Sequence, residues 1–168
     1  MRFKGIIVSI GVVCLFLTAT AASAADYKNW LPLLPDSIAG MEKSGDPKGV
    51  NMNMGEDSWS LLKQKYAGES GWIRVNIIAG SKVPQVRAFK NPEEFATQSE
   101  KKSARFVEVS GHKAFLELKK KADSGRIVIL LQKHAVAAIE AKSVSSEKKL
   151  LSLAKALPLD KIAATISE

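Results

Sequence analysis

A run of four apolar-rich segments joined by very short connections, between residues 105 and 142, constrains the fold most strongly. The connections contain only two to six residues, and connections of that length join neighbouring antiparallel strands. The run therefore predicts a four-stranded meander. Ile127 to Leu131 is apolar without alternation, which predicts a central strand that is buried on both faces. The four predicted strands are Arg105 to Val109, Lys113 to Lys119, Arg126 to Gln132 and Ala135 to Lys142.

Three further strands are predicted ahead of the meander, because their side chains alternate between apolar and polar. They are Val50 to Met54, Ser58 to Tyr66 and Trp72 to Ala79, with a glycine-containing turn between the last two. In the first strand Val50, Met52 and Met54 share one side, which we expect to face the core. The preceding stretch, residues 36 to 49, is rich in glycine and polar residues and is interpreted as a loop.

Two helices complete the predicted set. Asn91-Pro92-Glu93-Glu94 combines a capping residue, a proline at the first helical position and a glutamate three residues after the cap. We expect this helix to run to about Lys102 on the surface. Residues 145 to 156 are predicted to form the second helix, which has leucines at helical spacing and ends before Pro158. A last helical turn or two is predicted after Pro158, with the apolar residues Leu159, Ile162, Ala163 and Ile166. The expected fold is α+β: a single antiparallel sheet of about seven strands, hairpin plus four-strand meander, with helices packed on its faces.

The first 24 residues have the pattern of a signal peptide. Arg2 and Lys4 precede an apolar stretch from Ile6 to Leu17, and Ala22-Ser23-Ala24 fits a cleavage site after Ala24. The apolar stretch is shorter than the roughly 20 residues that span a bilayer. We therefore expect an exported, periplasmic or secreted protein whose residues 25 to 168 form one domain, with an uncleaved anchor as the alternative.

Cysteine content and charge limit the chemistry. Cys14 is the only cysteine of the chain and lies inside the leader, so the predicted mature chain has no disulfide and no thiol nucleophile. Removal of Arg2 and Lys4 leaves 23 Lys and Arg residues of the original 25 against 17 Asp and Glu, a net charge of +6. Because export separates the protein from nucleic acid, we expect an envelope protein or another anionic surface as its partner.

No catalytic signature is present in the sequence. A Gly-x-Ser-x-Gly motif and a phosphate-binding glycine loop are both absent, so we predict neither an enzyme nor a cofactor. His112 and His134 both fall at turns of the meander, and Met52 and Met54 could offer thioether ligands. The sequence does not decide whether these four side chains bind a metal, and it does not indicate an oligomeric state.

Clusters of basic residues supply the candidate binding site. They end the predicted surface helix and surround the connection between the second and third strands of the meander. A cationic interaction patch is predicted where these clusters converge, and a solvated rim is the alternative. The candidate residues are Lys101, Lys102, Arg105, Lys119, Lys120, Lys121 and Arg126.

The order of predicted elements from about Leu34 to Ile166 resembles that of the PsbP-like α+β sandwich. The stretches from Leu34 to Gly40 and from Val109 to Phe115 also resemble small exported bacterial proteins. This resemblance implies a non-catalytic scaffold that binds other proteins. The alternative hypothesis is a carrier that holds a small apolar ligand, such as a lipid or quinone, between the sheet and the C-terminal helix.

Overall fold

A computed structural model describes residues 26–54, 57–69, 71–81, 83–95, 97–98, 102–144 and 146–166. Ten strands in these residues form one sheet in which all paired strands are antiparallel. The strands are β1 (Ser37–Ile38), β2 (Met41–Lys43), β3 (Lys48–Met54), β4 (Asp57–Gly68), β5 (Gly71–Gly80), β6 (Thr97–Gln98), β7 (Lys102–Val109), β8 (His112–Lys119), β9 (Ser124–Gln132) and β10 (Ala135–Lys142).

Nine strands lie on one continuous path, in the order β1-β2-β4-β5-β10-β9-β8-β7-β6. The tenth, β3, pairs with the first part of the twelve-residue β4, whereas β2 pairs with its far end at Tyr66 and Ala67. Two locally connected halves meet at the centre, where β5 pairs with β10. The predicted meander is confirmed as β7 to β10, and the predicted antiparallel sheet with helices is confirmed as well. The described sheet has more strands than the seven expected.

One face of the sheet, here called the covered face, carries the larger core. The 3₁₀ helix Tyr27–Leu33 and the helices α2 (Glu147–Lys155) and α3 (Leu159–Ala164) lie on it. Leucines of α2 at helical spacing, including Leu150 and Leu153, are buried against apolar residues of the sheet. Gln132 donates hydrogen bonds to the carbonyl oxygens of Ala163 and Ile166, which satisfies backbone acceptors at the end of α3.

Tyr66 fixes the entry of the N-terminal segment onto the covered face. Its ring is fully buried, and its hydroxyl donates a hydrogen bond of 2.9 Å to the carbonyl oxygen of Pro35. Burial, together with the nearby negative charge of Asp36, raises the pKa of Tyr66 to about 12. Lys43, which pairs with Asp36 at 2.9 Å, lowers the pKa of that carboxyl group. The phenol thus stays neutral to a higher pH than that of an exposed tyrosine.

The opposite face, here called the open face, is covered only in part. The segment from Val83 to Phe95, which includes α1 (Arg87–Lys90), packs over one end of β7 to β10. Val83 and Val86 contact a second, smaller apolar cluster there. Phe89 contacts Phe106 edge-on at a centroid distance of 5.8 Å. Ile78 of β5 also packs against this cluster. Farther along the same face, Lys63 and Lys65 of β4 and Arg74 of β5 are exposed.

Three sequence predictions are wrong. Residues 36 to 49 are not a loop, because they contain β1, β2 and the start of β3. The helix expected from Asn91 to Lys102 is only the 3₁₀ turn Pro92–Glu94, and the chain then enters β6 and β7. The apolar side of β3 does not face the core: Met54 is 66% exposed and Val50 is 36% exposed. The predicted signal peptide, residues 1 to 24, lies outside the described residues.

Candidate interaction surface

Three of the predicted basic residues lie together on the open face of the sheet. Lys102 of β7 and Lys119 of β8 are directly opposite each other in the register. Arg126 of β9 is opposite Glu117, which lies two residues before Lys119 and therefore on the same face. Three of the seven predicted patch residues are thus brought together on three consecutive strands.

Three other predicted residues lie outside this group of three. Arg105 is on the covered face, where its guanidinium group pairs with both carboxylate oxygens of Glu147 at the start of α2. Lys120 and Lys121 belong to the 3₁₀ turn Lys120–Ala122 at the end of β8, and both are exposed. Lys101 lies outside the described residues.

Further cations extend the open-face cluster across the sheet. One row of paired residues runs across four strands of this face. Arg126 is opposite Glu140 of β10, and Glu140 is opposite Arg74 of β5. Arg74 is in turn opposite Lys65 of β4. Three more lysines, Lys48, Lys63 and Lys142, lie in the neighbouring rows of the same face. The resulting cationic face contains eight residues: Lys48, Lys63, Lys65, Arg74, Lys102, Lys119, Arg126 and Lys142.

Like charges are paired directly across strands at three places on the cationic face. Lys48 is opposite Lys63, Lys65 is opposite Arg74, and Lys102 is opposite Lys119. Side chains in such positions are about 5 Å apart at Cβ, and like charges there destabilise the sheet. The fold does not require these repeated cations. Sites that break a local rule of folding in this way are frequently sites of function.

Carboxylates neutralise only part of this charge. Glu140 accepts a hydrogen bond of 3.2 Å from Arg74. Glu117 lies 3.3 Å from the Lys102 ammonium group and 3.8 Å from that of Lys119, so it offsets part of the repulsion within that pair. Three other carboxylates, those of Glu42, Asp57 and Glu108, lie toward the margins of the open face. Among the residues that the structure describes, no carboxylate lies within ion-pair distance of Lys63 or Lys65.

An apolar band lies beside the cationic face on the same side of the sheet. Met52 is opposite Trp59, and Val50 is opposite Leu61, in the two rows next to the lysine pair of β3 and β4. Met52, Trp59 and Leu61 are half-buried. The apolar band is defined as Val50, Met52, Met54, Trp59 and Leu61. At the other end of β5, Trp72 lies 5.2 Å below the Arg74 guanidinium group.

The histidines and methionines do not come together. His112 contacts the Asp160 carboxylate of α3 at 2.8 Å on the covered face, whereas Met52 and Met54 are on the open face. His134 is exposed in the turn between β9 and β10. Within the described ranges, no group of three His, Cys, Asp or Glu side chains is placed to hold a metal ion.

Buried side chains of α2 and α3 pack against the sheet. A depression of about 520 Å³ lies along the outside of α2 and is lined by residues of that helix, including Leu151 and Lys155. A second depression, of about 370 Å³, is lined by Asp36, Ser37, Glu42 and Lys43. The two depressions are thus not between sheet and helix, and the carrier hypothesis stays a prediction.

Comparisons of the chain with protein-family models, with curated proteins and with solved structures found no match. The resemblance to the PsbP-like sandwich therefore stays a prediction. No helix in the described part of the chain has both the length and the apolar character needed to cross a membrane.

The sequence pattern could have revealed more of the cationic face. Lys63 and Lys65 alternate with buried residues along β4, as Arg74 does along β5. This spacing places cations on the polar side of a strand. The prediction instead followed clusters of adjacent basic residues, whose members point to opposite faces of a strand.

Proposed function

We propose that this protein is an exported, non-enzymatic interaction module that binds an anionic component of the bacterial cell envelope through its cationic face. The observation that carries the proposal is the set of three like-charge pairs across neighbouring strands. An anionic partner relieves the repulsion within each pair, so the face is more stable when it is occupied than when it is exposed to solvent. The leader pattern supports a location in the envelope.

The shape of the open face also supports binding to an extended surface. The cations are distributed over seven strands, from β3 on one side of the sheet to β7 on the other. None of the eight cations lines either of the two described depressions. Enzyme sites and small-ligand sites are usually concave. A broad cationic surface is better suited to a partner that presents many negative charges at once.

Sedimentation with isolated envelopes tests this function. The protein purified from the expressing bacterium, with its N-terminus determined by mass spectrometry, is compared with the double variant Lys63→Glu and Lys65→Glu. We expect the variant to bind at least about tenfold more weakly, because each lysine near an anionic surface contributes about 1 kcal/mol. The variant should fold normally, because each new carboxylate is opposite a cation, Lys48 or Arg74.

The matched control is the double variant Lys155→Glu and Lys161→Glu. Both residues are exposed on the helices of the covered face, and the change in net charge is the same. Binding of this control should stay within about twofold of the wild type, since its new charges lie across the sheet from the cationic face. Equal losses in both variants would contradict a role for the cationic face and leave only a net-charge effect.

A further inference from the structure

The apolar band is the second unusual feature of the open face. Met54 is 66% exposed and Val50 is 36% exposed, and both lie next to the half-buried Met52, Trp59 and Leu61. A contiguous exposed apolar patch on a small protein commonly marks an interaction site. Here the patch adjoins the cationic face, in the row next to Lys48 and Lys63.

We propose that the open face binds directly to the surface of an anionic phospholipid bilayer, with the apolar band inserted at the boundary of the acyl chains and the cationic face on the headgroups. This inference rests on the proposed function, because it names the anionic partner. Membrane-surface elements combine these same two parts: apolar side chains on one area and basic side chains beside them.

The composition of the cationic face favours a lipid surface over an acidic protein. Six of its eight residues are lysines and two are arginines. Lysine is depleted and arginine enriched in protein interfaces, where planar bidentate pairing is valuable. Lysine is a hydrated point charge on a flexible stem, which suits attraction to mobile anionic headgroups.

The arrangement of tryptophans predicts how the protein lies on the bilayer. Trp59 belongs to the apolar band, whereas Trp72 lies at the cationic end of the open face, beneath Arg74. Trp30 is fully buried on the covered face. When the apolar band inserts, Trp59 should reach the acyl chains, Trp72 should stay at the headgroups, and Trp30 should not be affected.

Sedimentation with vesicles tests the proposal. The purified protein is mixed with vesicles of phosphatidylcholine alone or of phosphatidylcholine with phosphatidylglycerol. We expect at least tenfold stronger binding to the anionic vesicles, weakened by salt. The variant Met54→Gln should bind about tenfold more weakly because it loses apolar burial, and Met54→Leu should bind like the wild type. Equal binding of all three proteins would overturn insertion of the apolar band.

Quenching of tryptophan fluorescence by acyl chains that carry bromine tests the orientation. We expect the quenching to disappear in Trp59→Phe and to persist in Trp72→Phe. Quenching that depends on Trp72 instead would show a different orientation and overturn the proposed one. Because all variants share one N-terminus, any contribution of the leader is the same in each comparison.

The two assays separate the two proposals. Binding to isolated envelopes that requires Lys63 and Lys65, without binding to anionic vesicles, would overturn the lipid proposal and leave the proposed function standing, with an acidic protein or wall polymer as partner. Absence of binding to both preparations would overturn both. Binding to both that is lost in the charge variant supports both.

Discussion

The substitution Tyr66→Phe tests whether the buried phenol couples the stability of the fold to pH. Tyr66 is fully buried and donates a hydrogen bond of 2.9 Å to Pro35. At neutral pH we expect the loss of this bond to lower the free energy of unfolding by about 1 kcal/mol. The Pro35 carbonyl oxygen then loses its only side-chain donor among the described residues.

The raised pKa of Tyr66 predicts that at alkaline pH the variant is more stable than the wild type. The pKa of Tyr66 is about 12 in the folded protein against 10.0 for an ordinary tyrosine. Since burial favours the neutral phenol, this stability is fully present below pH 10 and is lost as the pH rises toward 12. Two pKa units set an upper limit of about 2.7 kcal/mol, reached only above pH 12, on the stability that the wild type loses and the variant retains. The two stability curves should therefore cross at about pH 10.7.

Urea unfolding followed by circular dichroism between pH 8 and about pH 12 measures the free energy of unfolding of the wild type and of Tyr66→Phe across this range. Deprotonation of lysines also changes stability in this range, but it affects both proteins alike, so the difference between them isolates Tyr66. Tyr27→Phe is the control: it leaves Tyr66 in place and should keep the wild-type dependence on pH. Parallel curves for the wild type and Tyr66→Phe would refute the reasoning, because burial would then not hold the phenol neutral.

Three substitutions test the packing and the charge arrangement by urea unfolding. Gly80→Ala should destabilise the protein by more than about 3 kcal/mol, because φ is +153° and the new Cβ would lie 2.3 Å from the Ser58 carbonyl oxygen; a loss below about 1 kcal/mol would contradict this geometry. Leu153→Ala should cost about 2–5 kcal/mol, since Leu153 is buried in the core; a surface-like loss would mean that α2 does not pack as described. Lys65→Gln should stabilise by about 0.5 kcal/mol by removing repulsion from Arg74, and the gain should vanish in high salt; a loss at low salt would refute the repulsion.

The sequence pattern correctly predicted the strands that pair with their neighbours in sequence. Short connections identify β7 to β10, and alternation identifies β4 and β5, because each of these strands pairs with a neighbour in sequence. Strands β1 and β2 are only two and three residues long, and β2 is held by pairing with the far end of β4. Such short strands leave no periodic signal, so residues 36 to 49 resembled a loop.

The failed helix prediction has a different physical cause. Asn91, Pro92 and Glu94 are favourable start residues, and the Asn91 side chain does donate to Glu94. A start signal stabilises only the first turn, and a helix in a protein depends on an apolar face that packs. The segment offers Phe95, which contacts Phe115, and the chain then turns into the sheet.

The candidate surface was predicted only in part, because a strand separates adjacent residues onto opposite faces. Arg105 and Lys102 are close in sequence, yet one pairs with Glu147 on the covered face and the other lies on the open face. The exposure of Met54 also could not be predicted from the alternation of apolar and polar residues along β3. Alternation shows that the two sides of a strand differ, but it does not show which side is covered by the rest of the protein.

The central ladder between β5 and β10 has a consequence for the order of folding events. Strands β3 to β5 and strands β7 to β10 pair with neighbours in sequence, so each set requires only short loop closures. The β5–β10 ladder instead joins Ala79 to Ala135, residues more than fifty positions apart. Closing such a distance is entropically costly and slow. The sheet thus consists of two sets of strands that pair locally, and we expect the pairing of β5 with β10 to be the slow step of folding. We also expect two fragments produced by a backbone cut between residues 81 and 97 to reassemble along that ladder.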